Sequence, residues 1–462
     1  MKLRSIFKTH PLAALIAAAF FTLALIYGIV TPPFEMSDES RHYAVVKYIA
    51  DTGRLPVQQA GEAQRHWSHE GNQPPLYYAL AALLTGRIET GGWNDVYWYN
   101  PHTSAGVPLR TDNENMTIHT AREAFPWRGY TLAVHLIRIL SSLMGLATVI
   151  FTYRIALLLF NDHRPLAAAA TAVAAFTPMF IFISAAVNND NLVILFCTLA
   201  TWLLVKMAQR GTRPADALWL GTLVGLGALS KLYALGLVPL ALLLLLWQGF
   251  RGRQWRQFWR HSLLFGGMVI LLAGWFYVRN LILYGDLLTV NLMTGVAGSR
   301  DAPLTLPTFL AEFEGLRIAY WALFGGVNVL AHPWIYRLLD AVSLAAAAGL
   351  AGLAGFWLWK RRLPHPARAN SGAIFILAGW LAIMTAGFLV WNLNLTAAQG
   401  RLFFPAIAAI SCLLVLGLGG WLPPRWAHRP PAVLAAGLFL FAAASPWLYI
   451  RPAYAKPPRL TP

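Results

Sequence analysis

The sequence predicts an all-α polytopic membrane protein with about eleven transmembrane helices. Three observations predict it. Of the 462 residues, 57% are hydrophobic and only 12% are charged, a balance far from that of an ordinary soluble domain. Apolar runs of about 20 residues recur, long enough to cross a hydrocarbon core. The basic residues are dispersed through short loops between those runs, as the positive-inside rule requires. That dispersal also removes nucleic acid as the reason for the net charge of +17, since no soluble segment gathers the lysines and arginines.

The first apolar run, 11–31, follows a basic start, Met1 to His10. Pro32-Pro33 and further spans come after it, not a small-residue cleavage site before a soluble domain, so it reads as an uncleaved helix. The remaining spans are expected at 130–153, 166–187, 192–209, 217–230, 232–247, 262–284, 337–359, 371–391, 402–420 and 432–450. With the N-terminus inside, six segments face the cytoplasm: 1–10, 161–165, 206–216, 248–261, 360–370 and 421–431. Together they hold seventeen basic residues against two acids, Asp162 and Asp216, whereas segment 32–129 holds eleven of the nineteen acids. The N-terminus is therefore expected in the cytoplasm and the C-terminus outside. The chain reads as one transmembrane domain, 1–462, with extracytoplasmic segments at 32–129 and 285–336.

The same rule resolves Ala217 to Trp247. One long span would place Lys206, Arg210 and Arg213 opposite Arg251, Arg253, Arg256 and Arg260. A hairpin turning near Ser230-Lys231 keeps both basic loops inside and leaves Lys231 at the outer side. In the outer loop, Ser37 is a plausible N-cap for a helix over 38–52, with Asp38 and Glu39 in its first turn. Leu76 to Leu84 is too short to span and reads as a second interfacial helix. The two cysteines, Cys197 and Cys412, fall inside apolar runs and read as core residues. Gly221-x-x-x-Gly225 reads as a close helix contact. The segment from Gly225 to Lys231 lacks the P-loop pattern.

Four groups of residues point to chemistry. Asp38 and Glu39 lie at an apolar boundary where a bare carboxylate is costly to desolvate, so they hold a partner or do work. The bland alternative is helix capping. Arg41 and His42 lie about one turn on from Asp38. Lys231, Arg279 and Arg401 sit at outer ends of spans against the positive-inside trend, and Arg138 lies about two turns inside the second span. Arginine and lysine there suit a phosphate headgroup, though each also has reason to snorkel or pair with Asp190 or Asp286. His66, His69 and Glu70 have the residue types of a divalent-metal site, and also those of a solvated loop. Gln73, Tyr77, Asn189 and Asp190, with His42 and Glu70, are candidates for lining an acceptor or sugar pocket.

Several of these stretches, taken in order, resemble one family. Pro33-Phe34 leading to Asp38-Glu39, then Gln73-Pro74-Pro75-Leu76-Tyr77-Tyr78, Asn188-Asn189-Asp190, Arg279-Asn280 through Tyr284-Gly285-Asp286, and Gln399-Gly400-Arg401 resemble the GT-C superfamily of polytopic glycosyltransferases. Its bacterial members include relatives of the protein O-mannosyltransferases and the lipid A aminoarabinose transferase. The resemblance implies a bacterial inner-membrane enzyme moving a sugar from a polyprenyl-phosphate lipid to a glycan, lipid or protein acceptor on the outer face. Asp38 would then orient or deprotonate the acceptor, and Lys231, Arg279 and Arg401 would bind the lipid phosphate. One departure stands out: the aminoarabinose transferase has Glu-Lys before its Pro-Pro, where this chain has Asn72-Gln73, so its substrate and any metal held there do not carry over. A transporter or flippase of lipid-linked sugars, and an inactive assembly partner, are the rival readings. A transporter would more often place its polar groups near mid-membrane in repeat-related broken helices.

Overall fold

The computed structural model describes residues 9–59, 66–103, 113–297, 299–300, 302–360, 369–396 and 398–455. Most of segment 1–10 and the cluster Arg361, Arg362 and Arg368 lie outside the described residues.

The chain is helical throughout, as its composition requires. Among the described residues, nine helices are long and apolar enough to cross a membrane. They begin with α1 (Pro11–Val30), preceding the two outer-loop helices α2 (Glu39–Thr52) and α3 (Leu76–Thr85). The long α4 (Gly129–Leu159) follows. A tenth span is a pair, α5 (Arg164–Ala175) and α6 (Pro178–Ser184), bent by 63°. Pro178 lies at the bend, where it opens the second helix with no N–H to leave unpaired. Next come α7 (Asp190–Arg210), α8 (Pro214–Ala228), α9 (Leu237–Arg251) and α10 (Trp255–Tyr284). Beyond the short α11 (Val290–Ala297) lies α12 (Leu306–Trp321), then a two-stranded hairpin, β1 (Leu323–Phe324) with β2 (Val329–Leu330). The remaining spans are formed by α13 (Pro333–Lys360), α14 (Ser371–Asn394), α15 (Ile407–Gly419) with the 3-10 turn before it, and α16 (Arg429–Ser445) with its extension.

The span expected at 217–230 is α8, which has no helical extension to lengthen it as the turns before α9 and α15 do. Its 15 residues extend only about 22 Å, against ~30 Å for a hydrocarbon core. The expected hairpin is nevertheless formed. Thr212, just before α8, donates its hydroxyl to Gln248, near the end of α9, at 2.6 Å. Both basic loops therefore lie at one end of the bundle, and the tip at Ser230-Lys231 lies at the other. Close packing seats this hairpin: a Cβ on Gly221 would collide with the backbone oxygen of Phe265 and the side chain of Met268 on α10.

The outer loop sits on the opposite end of the bundle from those basic loops. Tyr43, Val46, Tyr77 and Tyr78 from α2 and α3 pack with Ile137 of α4 and Leu192 of α7. Leu80, Leu83 and Leu84 on the other face of α3 are exposed, as expected for a helix lying in the interface. The Leu76 N–H donates to the Leu229 carbonyl at 2.9 Å, which fastens the start of α3 to the tip of the α8–α9 hairpin. That bond brings Gln73 and its neighbours to Lys231.

One local expectation is corrected. Ser37 does not cap α2; its hydroxyl donates to the Gly325 carbonyl at 3.0 Å. Asp38 holds the cap position, with φ of +59°, and its carboxylate caps nothing. Aspartate tolerates the left-handed region better than most residues, at a cost on the order of 1 kcal/mol.

Candidate active site

Five segments far apart in sequence converge at the loop-bearing end of the bundle. Asp38, Arg41 and His42 come from the start of α2, and His69, Glu70 and Gln73 from the turn before α3. Asn188 and Asp190 precede or open α7, Lys231 is the hairpin tip, and Gln399 and Arg401 precede α15. They surround a cavity of about 380 Å³, with Tyr233, Met293 and Trp391 forming apolar parts of its wall. That volume lies within the ~300–1,000 Å³ usual for small-molecule sites.

Each charge in the cavity has a counter-charge. The left-handed turn at residue 38 aims the Asp38 carboxylate at Arg401, which donates from Nη2 to Oδ2. Arg41 Nη1 lies 3.3 Å from Oδ1. A quarter of the Asp38 side chain (26%) is open to the cavity. Burial would raise its pKa, but Arg401, Arg41 and His42 outweigh that and hold the carboxyl well below the usual range. Arg401 also donates from Nε to Gln399 Oε1 at 2.7 Å. Its Nη1 is buried and, among the described residues, has no acceptor.

Lys231 Nζ donates to Asp190 Oδ1 at 2.6 Å and lies 3.3 Å from Asn189 Oδ1. Burial opposes its charge, but Asp190, then Tyr233 and Glu70, raise its pKa above the ordinary lysine value. Glu70 is flanked by two imidazoles, with His69 Nε2 at 3.0 Å and His42 Nδ1 at 3.6 Å. Burial would raise the Glu70 pKa, yet His42 and His69 bring it down. His69 is pushed above its ordinary value because Glu70 outweighs the effect of burial, whereas burial dominates at His42 and lowers it. His42 Nδ1 is also 2.8 Å from the Tyr78 hydroxyl.

Several expected site residues lie elsewhere. Glu39 is fully buried and turned away from the cavity. It receives Arg138 at 2.9 and 2.5 Å and the N–H groups of Phe34 and Val187 at 2.9 and 3.0 Å. Arg138 spends its other donors on the carbonyls of Gly28, Thr31 and Pro32. With every donor committed to an end of α1 and to Glu39, it presents nothing to a phosphate. Arg279 donates to the Pro56 carbonyl at 2.9 Å, and Tyr284 of the same motif receives Gln58 N–H at 3.1 Å. That motif straps the linker after α2 and does not line the cavity.

Tyr77 and Asn189 stand behind the wall. Tyr77 is fully buried, pairs with Ser141 at 2.8 Å and accepts the Asn188 N–H at 3.0 Å, so it sets the turn that presents Asp190. Asn189 donates to the Ser230 carbonyl at 3.2 Å, locking that turn to the hairpin tip. The expected metal trio is not assembled. His66 is exposed and stacks on Trp93 at 4.7 Å, while His69 is engaged by Glu70. Among the described residues, no three such side chains are placed so that they could hold a metal ion together.

The sequence places Arg41 near Asp38 without giving it a site role, and does not single out Trp391. Arg41 had a signal in its spacing of three from Asp38. Trp391 had none that separates a cavity wall from a membrane belt.

The fold has known counterparts. The structure is similar to ArnT from Cupriavidus metallidurans in the apo state, with a TM-score of 0.53 and 13% identity over 94% of this chain. The same protein bound to undecaprenyl phosphate gives a TM-score of 0.52 and 12% identity over 96% of this chain. At that identity the likeness is one of fold. The chain covers 64% of the apo ArnT chain, less than two thirds, and 74% of the lipid-bound one. Residues 134–277 match the family described as dolichyl-phosphate-mannose-protein mannosyltransferase. That stretch contains Asp190 and Lys231 but neither Asp38 nor Arg401. No curated protein sequence matches this chain significantly.

Proposed function

We propose that the chain is an inverting glycosyltransferase that takes its sugar from a polyprenyl-phosphate carrier at the extracytoplasmic face. One observation carries this reading: a solvent-reachable carboxylate, Asp38, shares a small cavity with two cations, Lys231 and Arg401, delivered from distant spans. The undecaprenyl phosphate bound by ArnT supports the choice of carrier. The narrower recess that adjoins the cavity supports it too. The two share Lys231, Tyr233, Met293 and Trp391, and the recess adds Pro74, Leu232, Phe276 and Leu288. It suits the first isoprene units of a lipid tail.

In the reaction, an acceptor hydroxyl attacks the anomeric carbon from the face opposite the phosphate. The bond from that carbon to the phosphate oxygen breaks, and the polyprenyl phosphate leaves. Asp38 orients the hydroxyl and receives its proton. Lys231 and the guanidinium charge of Arg401 stabilise the charge gathering on the departing phosphate. An Asp38 held so acidic is a weak base while Arg401 faces it. As the guanidinium turns its charge toward the phosphate, Asp38 gains basicity at the step that needs it.

Two measurements test this. Asp38→Asn should lose ~10²–10⁴-fold in sugar transfer from polyprenyl-phosphate donors in membranes; full retention would remove Asp38 from the chemistry. Cryo-EM with undecaprenyl phosphate should show the headgroup between Lys231 and Arg401. A headgroup located elsewhere would overturn the proposed donor site.

A further inference from the structure

The opposite end of the bundle holds a second cavity, of about 370 Å³, where α7 ends, α8 begins and α9 turns into α10. Gln248 fastens its floor, donating to the Met207 carbonyl at 2.9 Å and accepting from Thr212 at 2.6 Å. Three arginines line it: Arg210, Arg213 and Arg251. Arg210 is neutralised by Asp216 at 2.7 Å, and that acid's other oxygen takes the Arg213 backbone N–H at 3.0 Å. The guanidiniums of Arg213 and Arg251 have no carboxylate within ion-pair distance among the described residues, and Arg251 lies over the Trp247 ring at 5.3 Å.

Orientation by the positive-inside rule accounts for basic residues at this end. It does not account for a recess between helices into which two of them converge. The flank of the recess is apolar and outward-facing, for Leu243, Leu246, Trp247 and Phe250 on α9 are all exposed. Bilayer lipid is what such a flank meets. A cationic notch above an apolar, aromatic flank has the layout of a phospholipid, with the headgroup at the notch and acyl chains along the helix. Guanidinium forks also match phosphate oxygens two at a time.

We propose that this cavity binds the phosphodiester headgroup of an anionic phospholipid from the leaflet opposite the catalytic cavity, held by Arg213 and Arg251. The test is native mass spectrometry of the full chain, purified in detergent and offered phosphatidylglycerol and phosphatidylcholine in equal amounts. The wild type should retain phosphatidylglycerol in preference, and Arg213→Gln with Arg251→Gln should lower that retention roughly tenfold. Arg253→Gln, which removes a charge from the same loop outside the cavity, should leave it unchanged. Should the double variant fail to fold, Arg251→Gln alone is read in the same way and should lose several-fold. Equal retention of both lipids, undiminished retention in the variants, an equal loss in Arg253→Gln, or displacement by soluble glycerophosphate would each overturn the proposal.

Discussion

Arg401 and Asp38 are 363 residues apart in sequence, yet the guanidinium of one donates to the carboxylate of the other. The contact ties the outer loop after the first span to the turn before α15. It also leaves one guanidinium nitrogen of Arg401 without an acceptor among the described residues. The same side chain thus holds a fixed anion with one nitrogen and keeps another buried and unspent.

Arg401→Gln should separate those two roles in one experiment. Losing the cation removes the main influence that keeps the Asp38 carboxyl acidic, so its pKa rises. The acid limb of the pH–activity profile should therefore move to higher pH, and KM for the lipid donor should increase. Arg401→Lys should restore the position of the acid limb more than the donor affinity, because an ammonium lacks the second fork of a guanidinium. A profile that does not move in Arg401→Gln would show that Asp38 is not the group titrating.

Glu39 and Arg138 are expected to matter for folding. Removing one member of a buried ion pair leaves the other uncompensated, at a cost of ~3–5 kcal/mol. Arg138→Met should collapse thermal stability in detergent and lower the yield in membranes. Removing both charges together, with Glu39→Gln and Arg138→Met, should recover part of that loss. Equal stability of wild type and Arg138→Met would contradict the structural role.

The sequence made the α8–α9 hairpin readable because charge decides it: only a turn near Lys231 keeps both arginine loops on one side. Asp38 stood out because a bare carboxylate at an apolar boundary is costly to desolvate, although helix capping explained it as well. Its neighbour Glu39 carries the same charge in the same motif, and only the backbone at residue 38, at φ +59°, sends one into the cavity and the other into the core. Arg138, Arg279 and Arg401 have the same side-chain chemistry. What separates them is the partner each meets: three carbonyls and Glu39, the Pro56 carbonyl, or Asp38. Those partners lie between roughly a hundred and several hundred residues away, beyond the reach of local pattern.

Gly400 should prove as sensitive as the arginine beside it. A Cβ there would collide with the Leu316 carbonyl and the Tyr320 backbone on α12. Backbone atoms on a packed helix do not yield as a flexible side chain does, so Gly400→Ala has to push the turn away from α12. The displaced turn carries Arg401 and Gln399 with it. Gly400→Ala should reduce both melting temperature and transfer, whereas Gly352→Ala, with open space around it, should change neither.

The buried set Glu35, His119 and Glu123 gives the outer loop its own pH dependence. His119 Nε2 lies 2.9 Å from Glu35 and Nδ1 lies 3.0 Å from Glu123, while Glu35 also receives the N–H groups of Met116 and Thr117. Burial disfavours the imidazolium, but hydrogen bonds to Glu123 and Glu35 outweigh it and raise the pKa from 6.5 to about 9. A histidine whose pKa is raised on folding stabilises fully below its unfolded value and loses that contribution as pH climbs through the folded one. The loop should therefore be firmest below about pH 6.5 and weaken up to about pH 9, by roughly 3 kcal/mol at most. Hydrogen exchange of segment 113–123 should accelerate across that window beyond the intrinsic base-catalysed increase. In His119→Gln the segment should start less protected, and the excess should vanish. An excess that persists in the variant would assign the pH dependence to another group.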